Sequence, residues 1–385
     1  MPRTITTGPL GTPLGVLVKP ASADCNLRCE YCFYHGRDTD PYSGQENKRV
    51  MSYDVLDRFL SEYLPMAGPT PNFGWQGGEP TLAGLPFFER VVERQQALKA
   101  RNQNIANALQ SNCWLIDEDW AKFLREHRFL VGASIDGPEE LNDRYRITAG
   151  GGGTFTRLMR NINTMRKHDV AVNVLTVVNR LTAQRPEQIF NFFVDEGFEW
   201  LQFIPAVERH PKTGKPTDFS VKPAQYGEFL CRVFDCWWNN GQPKVSVRMF
   251  DEVVTAVMGQ PPAMCQLQPS CGAYVVVEYN GDVFPCDFFV EDRWKLGNLT
   301  EEPLSEMAWG EGMKRFMGIK PKASSRCTKC PWRPICHNGC PHYRALPGRK
   351  FLDLDYLCPG YEKFYKHAVP RIVRTLQKAQ QGPTR

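Results

Sequence analysis

A chain of 385 residues with a formal net charge of +5 is long enough to bury a sizeable core and too weakly basic to form a nucleic-acid stripe. Hydrophobic residues make up 42% of it, yet no segment approaches the roughly 18 apolar residues of a membrane span, and Met1-Pro-Arg-Thr lacks the apolar core of a secretory signal. Fourteen cysteines in a chain without an export signal predict a reducing, cytoplasmic setting, where clustered thiols bind metal more often than they form disulfides.

Residues 1–14, rich in Gly, Pro and Thr, read as an irregular lead-in. After them, short β-rich runs at 15–19, 72–75, 104–110, 129–135, 170–178 and 201–204 alternate with helical patterns at 54–63, 86–101, 117–126, 155–168 and 187–196. Asp117 supplies a capping acid for the third helix. That alternation predicts a parallel α/β sheet with right-handed crossovers, whose chemistry collects beyond the C-terminal strand ends. From about residue 222 the pattern changes to helices at 225–238 and 250–258 and a hairpin at 274–279 and 282–284. Its Asn280-Gly281 turn suits type I′ geometry, and a closing helix follows at 361–378. The expected domains are therefore 15–221 and 222–385.

The chemistry-bearing motifs follow the predicted strands. After the first comes Cys25-Asn-Leu-Arg-Cys29-Glu-Tyr-Cys32, which offers three thiolates where a four-iron cubane normally takes four. An open coordination position marks a catalytic metal site. A zinc knuckle is the alternative, but it closes with a fourth ligand, and the nearest, His35, gives an uncommon zinc spacing. The cysteine run resembles the radical SAM superfamily, in which S-adenosyl-L-methionine fills the open iron site. Gly77-Gly78-Glu79-Pro80, after the second strand, reads alone as a turn or as backbone that a ligand approaches closely. In its place after the cysteines it resembles the superfamily's methionine-binding motif. By the same resemblance Tyr31, Gly78, Ser134, Arg146 and Val207 match positions that contact S-adenosylmethionine. Arg146 suits a carboxylate, or is otherwise a solvated surface arginine.

The second half holds Cys265, Cys271, Cys286, Cys327, Cys330, Cys336, Cys340 and Cys358, enough thiolates for two fully ligated four-iron clusters or two zinc ribbons. The arrangement resembles a SPASM domain, the auxiliary-cluster extension of peptide-modifying radical SAM enzymes. The resemblance assigns Cys265, Cys271, Cys286 and Cys340 to one cluster and Cys327, Cys330, Cys336 and Cys358 to the other, making three [4Fe–4S] clusters in all. Cys113, Cys231 and Cys236 are left over and read as structural.

Several longer stretches resemble one family, the anaerobic sulfatase-maturating enzymes. They are Lys19-Pro-Ala-Ser, Cys29-Glu-Tyr-Cys32-Phe-Tyr-His35, Gln76-Gly-Gly-Glu-Pro-Thr-Leu-Ala-Gly84, Trp120-Ala-Lys-Phe-Leu124, Phe129-Leu-Val-Gly132, Leu201-Gln-Phe-Ile204 and Pro285-Cys-Asp-Phe288. The resemblance covers about residues 15–371, without the 209–217 loop. It implies a partial (β/α)6 barrel followed by a cysteine-rich SPASM domain with a hairpin and helices. It also implies oxidation of a cysteine or serine in an unfolded sulfatase segment, Cys/Ser-x-Pro-x-Arg, to Cα-formylglycine through a 5′-deoxyadenosyl radical. Asp287, beside Cys286, matches the family's general base; read without the family it is a capping or turn acid. A flavodoxin or ferredoxin is the expected reductant, with no nucleic acid or membrane as partner. Two other functions compete: a maturase forming thioether or other crosslinks in a ribosomal peptide, and a multi-cluster electron carrier.

Overall fold

The structure is a computed structural model that describes residues 14–34, 40–42, 49–208, 210, 213–345, 351 and 353–381. The lead-in before Leu14, His35, and positions 209, 211 and 212 of the 209–217 loop lie outside the described residues.

The elements run β1 (Gly15–Lys19), α1 (Tyr53–Met66), β2 (Asn72–Trp75), α2 (Leu85–Leu98), β3 (Ala106–Ser111), α3 (Glu118–Glu126), β4 (Leu130–Ser134), α4 (Glu139–Asn142), α5 (Phe155–Lys167), β5 (Ala171–Val178), α6 (Pro186–Asp195) and β6 (Trp200–Pro205). There follow α7 (Pro223–Trp238), β7 (Ser246–Val247), α8 (Arg248–Val257), β8 (Tyr274–Glu278), β9 (Asp282–Phe284), β10 (Gly297–Asn298), α9 (Leu304–Trp309), α10 (Glu311–Met317), α11 (Ser325–Thr328), α12 (Arg333–Cys336), α13 (Pro341–Arg344) and α14 (Cys358–Gln381). Strong periodicity gave the long elements, and their caps explain the bounds. Asp117 caps α3 by accepting the Trp120 N–H at 3.1 Å, and Ser52 caps α1 by accepting that of Val55. The helices α9 and α10 were not expected; their buried Leu304, Met307, Ala308, Met313 and Phe316 show the helical spacing.

The chain divides into two compact units. One comprises residues 1–134, 146–172 and 272–317, the other 135–145, 173–271 and 318–385. In the first, the strands lie in the order β10-β9-β8-β1-β2-β3-β4. From β8 to β4 every pairing is parallel, so the C-terminal ends of these strands share one edge. Helices cover an aromatic core in which Phe73, Trp75, Phe88 and Trp120 meet edge-on or stacked. The hairpin β8–β9 extends this sheet beside β1, with Lys19 in register with Glu278. Its turn is not type I′. Only Gly281 takes a positive φ, at +87°, and three residues separate the strands, a loop that needs one left-handed residue instead of two.

In the second unit β5, β6 and β7 pair in parallel. Helices α7 and α14 pack together through two glycines. A Cβ on Gly227 would stand 2.7 Å from Gly360 Cα, and one on Gly360 would stand 2.4 Å from the Pro223 carbonyl oxygen. Trp237 and Trp238 are buried core residues packed on Phe234. Among the described residues no helix is long and apolar enough to cross a membrane.

The glycine crossing yields a stability prediction. Gly227→Ala forces backbone apart from backbone, so it should destabilise the protein by about 1–3 kcal/mol, the usual cost of overpacking. Thermal melting of wild type and variant at equal iron content checks this; coincident melts would contradict the packing.

Candidate active site

Four parallel strands in the first unit deliver the expected motifs to one edge. Cys25, Cys29 and Cys32 follow β1, Gly77 and Gly78 follow β2, Asn112 follows β3, and Ser134 ends β4. Cys25, Cys29 and Cys32 lie close enough for the latter two to raise the Cys25 thiol's pKa. Burial is the larger cause, with Glu79 next, and together they push Cys25 up to about 12. Its sulfur accepts the Leu27 N–H at 3.4 Å and the Asn112 side-chain amide at 3.5 Å.

The two glycines serve the protein's own backbone. A Cβ on Gly78 would fall 2.2 Å from the Asp24 carbonyl oxygen, and Gly77 has φ +131°. Without side chains there, the Gly78 N–H donates to Ser22 O and the Glu79 N–H to Asp24 O, both at 2.7 Å. The Gly-Gly turn thus clamps the segment that leads into Cys25. Glu79 itself is fully buried and accepts from Thr81 N–H (3.1 Å), Thr81 hydroxyl (2.6 Å), Ser111 hydroxyl (2.9 Å) and Asn112 N–H (2.7 Å). Burial raises its carboxyl above the ordinary range against those donors. Arg146 is buried, not a solvated surface residue, and its guanidinium lies 5.7 Å from the Tyr31 ring centroid. Ser134 accepts the Gln110 amide at 2.9 Å.

Asp287 lies in the same unit and is 6% exposed. Lys19 Nζ reaches its Oδ1 at 2.5 Å and Glu278 Oε1 at 3.3 Å. The Tyr34 hydroxyl donates to Oδ1 at 3.0 Å or Oδ2 at 3.1 Å, and Gln76 Nε2 donates to Oδ2 at 3.4 Å. Beside it, Cys286 Sγ lies 3.4 Å from the Tyr274 hydroxyl.

The second unit gathers the remaining thiols into two sets. Burial chiefly pushes Cys271 up to about 12, with Cys340 and Cys265 close enough to add to it. Cys327, Cys330 and Cys336 neighbour Cys358, and burial pushes Cys336 up to about 12 and Cys358 to about 11. Among the described residues no three ligand side chains close around a point as a single metal ion requires. Cys286 belongs to the first unit, and its assignment to the first set rests on the resemblance alone. Val207 also belongs to the second unit, buried just past β6.

Comparison with known proteins identifies the family. Residues 20–193 match the radical SAM superfamily and residues 269–331 the SPASM iron–sulfur cluster-binding domain. The cysteine-type anaerobic sulfatase-maturating enzyme of Clostridium perfringens is 37% identical over 369 residues, covering 94% of this chain and 98% of its own. The serine-type enzyme of Bacteroides thetaiotaomicron is 36% identical over 390 residues, covering 96% and 92%. The solved structure "Native anSMEcpe with bound AdoMet and Kp18Cys peptide" superposes with a TM-score of 0.86 at 37% identity, over 95% of this chain and 99% of that one. The chain belongs to the anaerobic sulfatase-maturating enzymes.

It is a radical SAM oxidoreductase with the α/β radical SAM fold and a SPASM extension, dependent on S-adenosyl-L-methionine and [4Fe–4S] clusters. Its reaction is the family's oxidation of cysteine or serine to Cα-formylglycine, which sets aside peptide crosslinking and electron carriage. Sequence reasoning missed Lys19, Tyr34, Gln76 and Glu278 as the surroundings of Asp287, and Glu79 as a clamp. One signal for the Lys19–Glu278 pair was present: two apolar strands, Val-Leu-Val-Lys19 and Val-Val-Val-Glu278, end in opposite charges.

The Glu79 clamp is testable. Both of its oxygens accept backbone N–H donors, so in Glu79→Gln the amide must face a buried N–H without an acceptor. The expected cost is about 1–3 kcal/mol. A melting temperature below wild type checks it, and unchanged melting would contradict the clamp.

Proposed function

We propose that Asp287 takes the substrate's proton in this oxidation, and that the substrate is a Cys/Ser-x-Pro-x-Arg segment of a sulfatase. The observation that carries this reading is the enclosure of the Asp287 carboxylate by Lys19, Tyr34 and Gln76, one residue from the thiol of Cys286. In this reading Cys25, Cys29 and Cys32 hold the first cluster, while Tyr31, Gly78, Ser134, Arg146 and Val207 receive S-adenosylmethionine. The sets Cys265, Cys271, Cys286, Cys340 and Cys327, Cys330, Cys336, Cys358 hold the other two clusters. Residues 15–221 then serve radical formation and 222–385 the auxiliary clusters. A flavodoxin or ferredoxin of the cytoplasm supplies electrons.

S-adenosylmethionine and the clusters, when bound, would supply the hydrogen-atom abstraction at the substrate Cβ and an acceptor for the remaining electron. The chain's own task is the proton of the thiol or hydroxyl. Asp287 Oδ1 is engaged by Lys19, which leaves Oδ2, touched by the weaker Gln76 donor, as the accepting oxygen. Tyr34 bridges both oxygens and fixes the carboxylate plane. When Asp287 becomes neutral, Lys19 still has Glu278 at 3.3 Å, so no buried ammonium is left unpaired. Burial keeps bulk water from competing as acceptor.

Asp287→Asn keeps the shape and removes the proton acceptor. S-adenosylmethionine cleavage, measured as 5′-deoxyadenosine, should persist, while formylglycine should fall by about 10²–10⁴-fold. Product at the wild-type rate would make Asp287 a bystander. Anaerobically reconstituted protein should also carry about twelve irons, four for each of three cubanes. Stoichiometric zinc with little iron would contradict the ligand sets.

A further inference from the structure

Two buried cations in the second unit play no part in the proton chemistry. Lys320 is 0% exposed and Arg344 1%. Lys320 Nζ donates to the carbonyl oxygens of Cys265 at 2.7 Å and Gln266 at 2.8 Å. Arg344 sits one turn past Cys340, whose carbonyl accepts its N–H at 3.2 Å. Its guanidinium donates to the carbonyl of Lys320 at 3.0 Å and to that of Lys322. Its Nε is buried with no hydrogen-bond partner.

Carbonyl dipoles solvate a cation but do not neutralise it. Asp355 is the carboxylate both cations act on; it is 4% exposed and accepts the N–H groups of Cys340 at 2.9 Å and Leu357 at 2.7 Å. Asp355 by itself does not balance two cations, and a folded protein tolerates a buried positive charge only beside a compensating anion. Once ligated to iron, the thiolates would be the anions within reach. Lys320 and Arg344 both act on Cys271, Lys320 also on Cys336, and Arg344 is acted on by Cys271, Cys340 and Cys327. These thiols come from both auxiliary ligand sets.

We propose that Lys320 and Arg344 are shared counter-cations of the two auxiliary [4Fe–4S] clusters and raise the reduction potentials of both. The proposal rests on the ligand sets given above. A four-thiolate cluster is anionic and becomes more so on reduction, so a fixed cation favours the reduced form. Burial keeps salt from screening that attraction. Neither residue touches substrate; both are positioning residues acting on potential.

The test is a redox titration of the reconstituted full-length protein followed by electron paramagnetic resonance, after iron analysis. In Lys320→Gln, both auxiliary midpoints should fall by at least a tenfold change in the oxidised–reduced equilibrium, about 59 mV for one electron. The cluster of Cys25, Cys29 and Cys32 should not move, and Lys320→Arg should keep the wild-type values. A loaded Lys320→Gln protein with unmoved auxiliary midpoints overturns the proposal, as does movement of only one of the two. If Lys320→Gln fails to hold its iron, full loading of Lys320→Arg supports a requirement for charge, and equal failure of both variants overturns it. Wild-type protein carrying iron for the first cluster alone would sink the ligand sets themselves, and the proposal with them.

Discussion

Lys19 is the residue on which the first unit's chemistry depends. It is a buried ammonium shared by two buried carboxylates, Glu278 in register across the β1–β8 pairing and Asp287 just beyond β9. Such a group is costly to bury and holds only if every charge is paired. Removing the ammonium leaves two carboxylates uncompensated, whereas neutralising one carboxylate leaves a balanced pair. The pairing also fixes register, because side chains alternate faces along a strand. A slip of one residue in β1 against β8 would part Lys19 from Glu278 and carry Asp287 away from Tyr34 and Gln76. The same contact that aligns the hairpin therefore aims the proposed proton acceptor.

Around that group the edge is built from backbone. Gly77 and Gly78 let the β2 turn lie against residues 22–24, and Glu79 gathers donors from its own turn and from the end of β3. Asn112 extends this order to Cys25. Its side-chain oxygen accepts the Trp114 N–H at 2.9 Å, which directs its amide group to the Cys25 sulfur. A fully buried carboxylate thus orients the residues next to the proposed cluster without touching it. The second unit meets the same need with cations, Lys320 and Arg344, where the ligands are more numerous.

Much of this was legible in the sequence. Hydrophobic periodicity located the six strands and the long helices, because those elements bury one face and show it in spacing. The cysteine count in the second half pointed to clusters, and the family resemblance supplied the grouping into two ligand sets. What escaped was tertiary. Nothing in Val-Leu-Val-Lys19 states that its neighbour is a strand beginning at Tyr274, so a buried ion pair looked like two ordinary strand ends. The glycine pair looked like room for a ligand, and the same turn also makes room for the chain itself. Asn280-Gly281 looked like a two-residue turn, but the strands end early enough that Gly281 alone takes the left-handed conformation. Lys320, in a loop between helices, carried no signal at all.

The central claim is that Lys19, held between Glu278 and Asp287, aims the Asp287 carboxylate as the proton acceptor. It is tested most directly by the ratio of formylglycine to 5′-deoxyadenosine in Lys19→Met and in the double variant Lys19→Met/Glu278→Gln. Without the ammonium, two buried carboxylates repel each other and Asp287 loses its aim, so Lys19→Met should cleave S-adenosylmethionine with little product. Neutralising Glu278 relieves that repulsion, so the double variant should recover part of the ratio. Equal ratios in the single and double variants, or a wild-type ratio in Lys19→Met, would contradict the account.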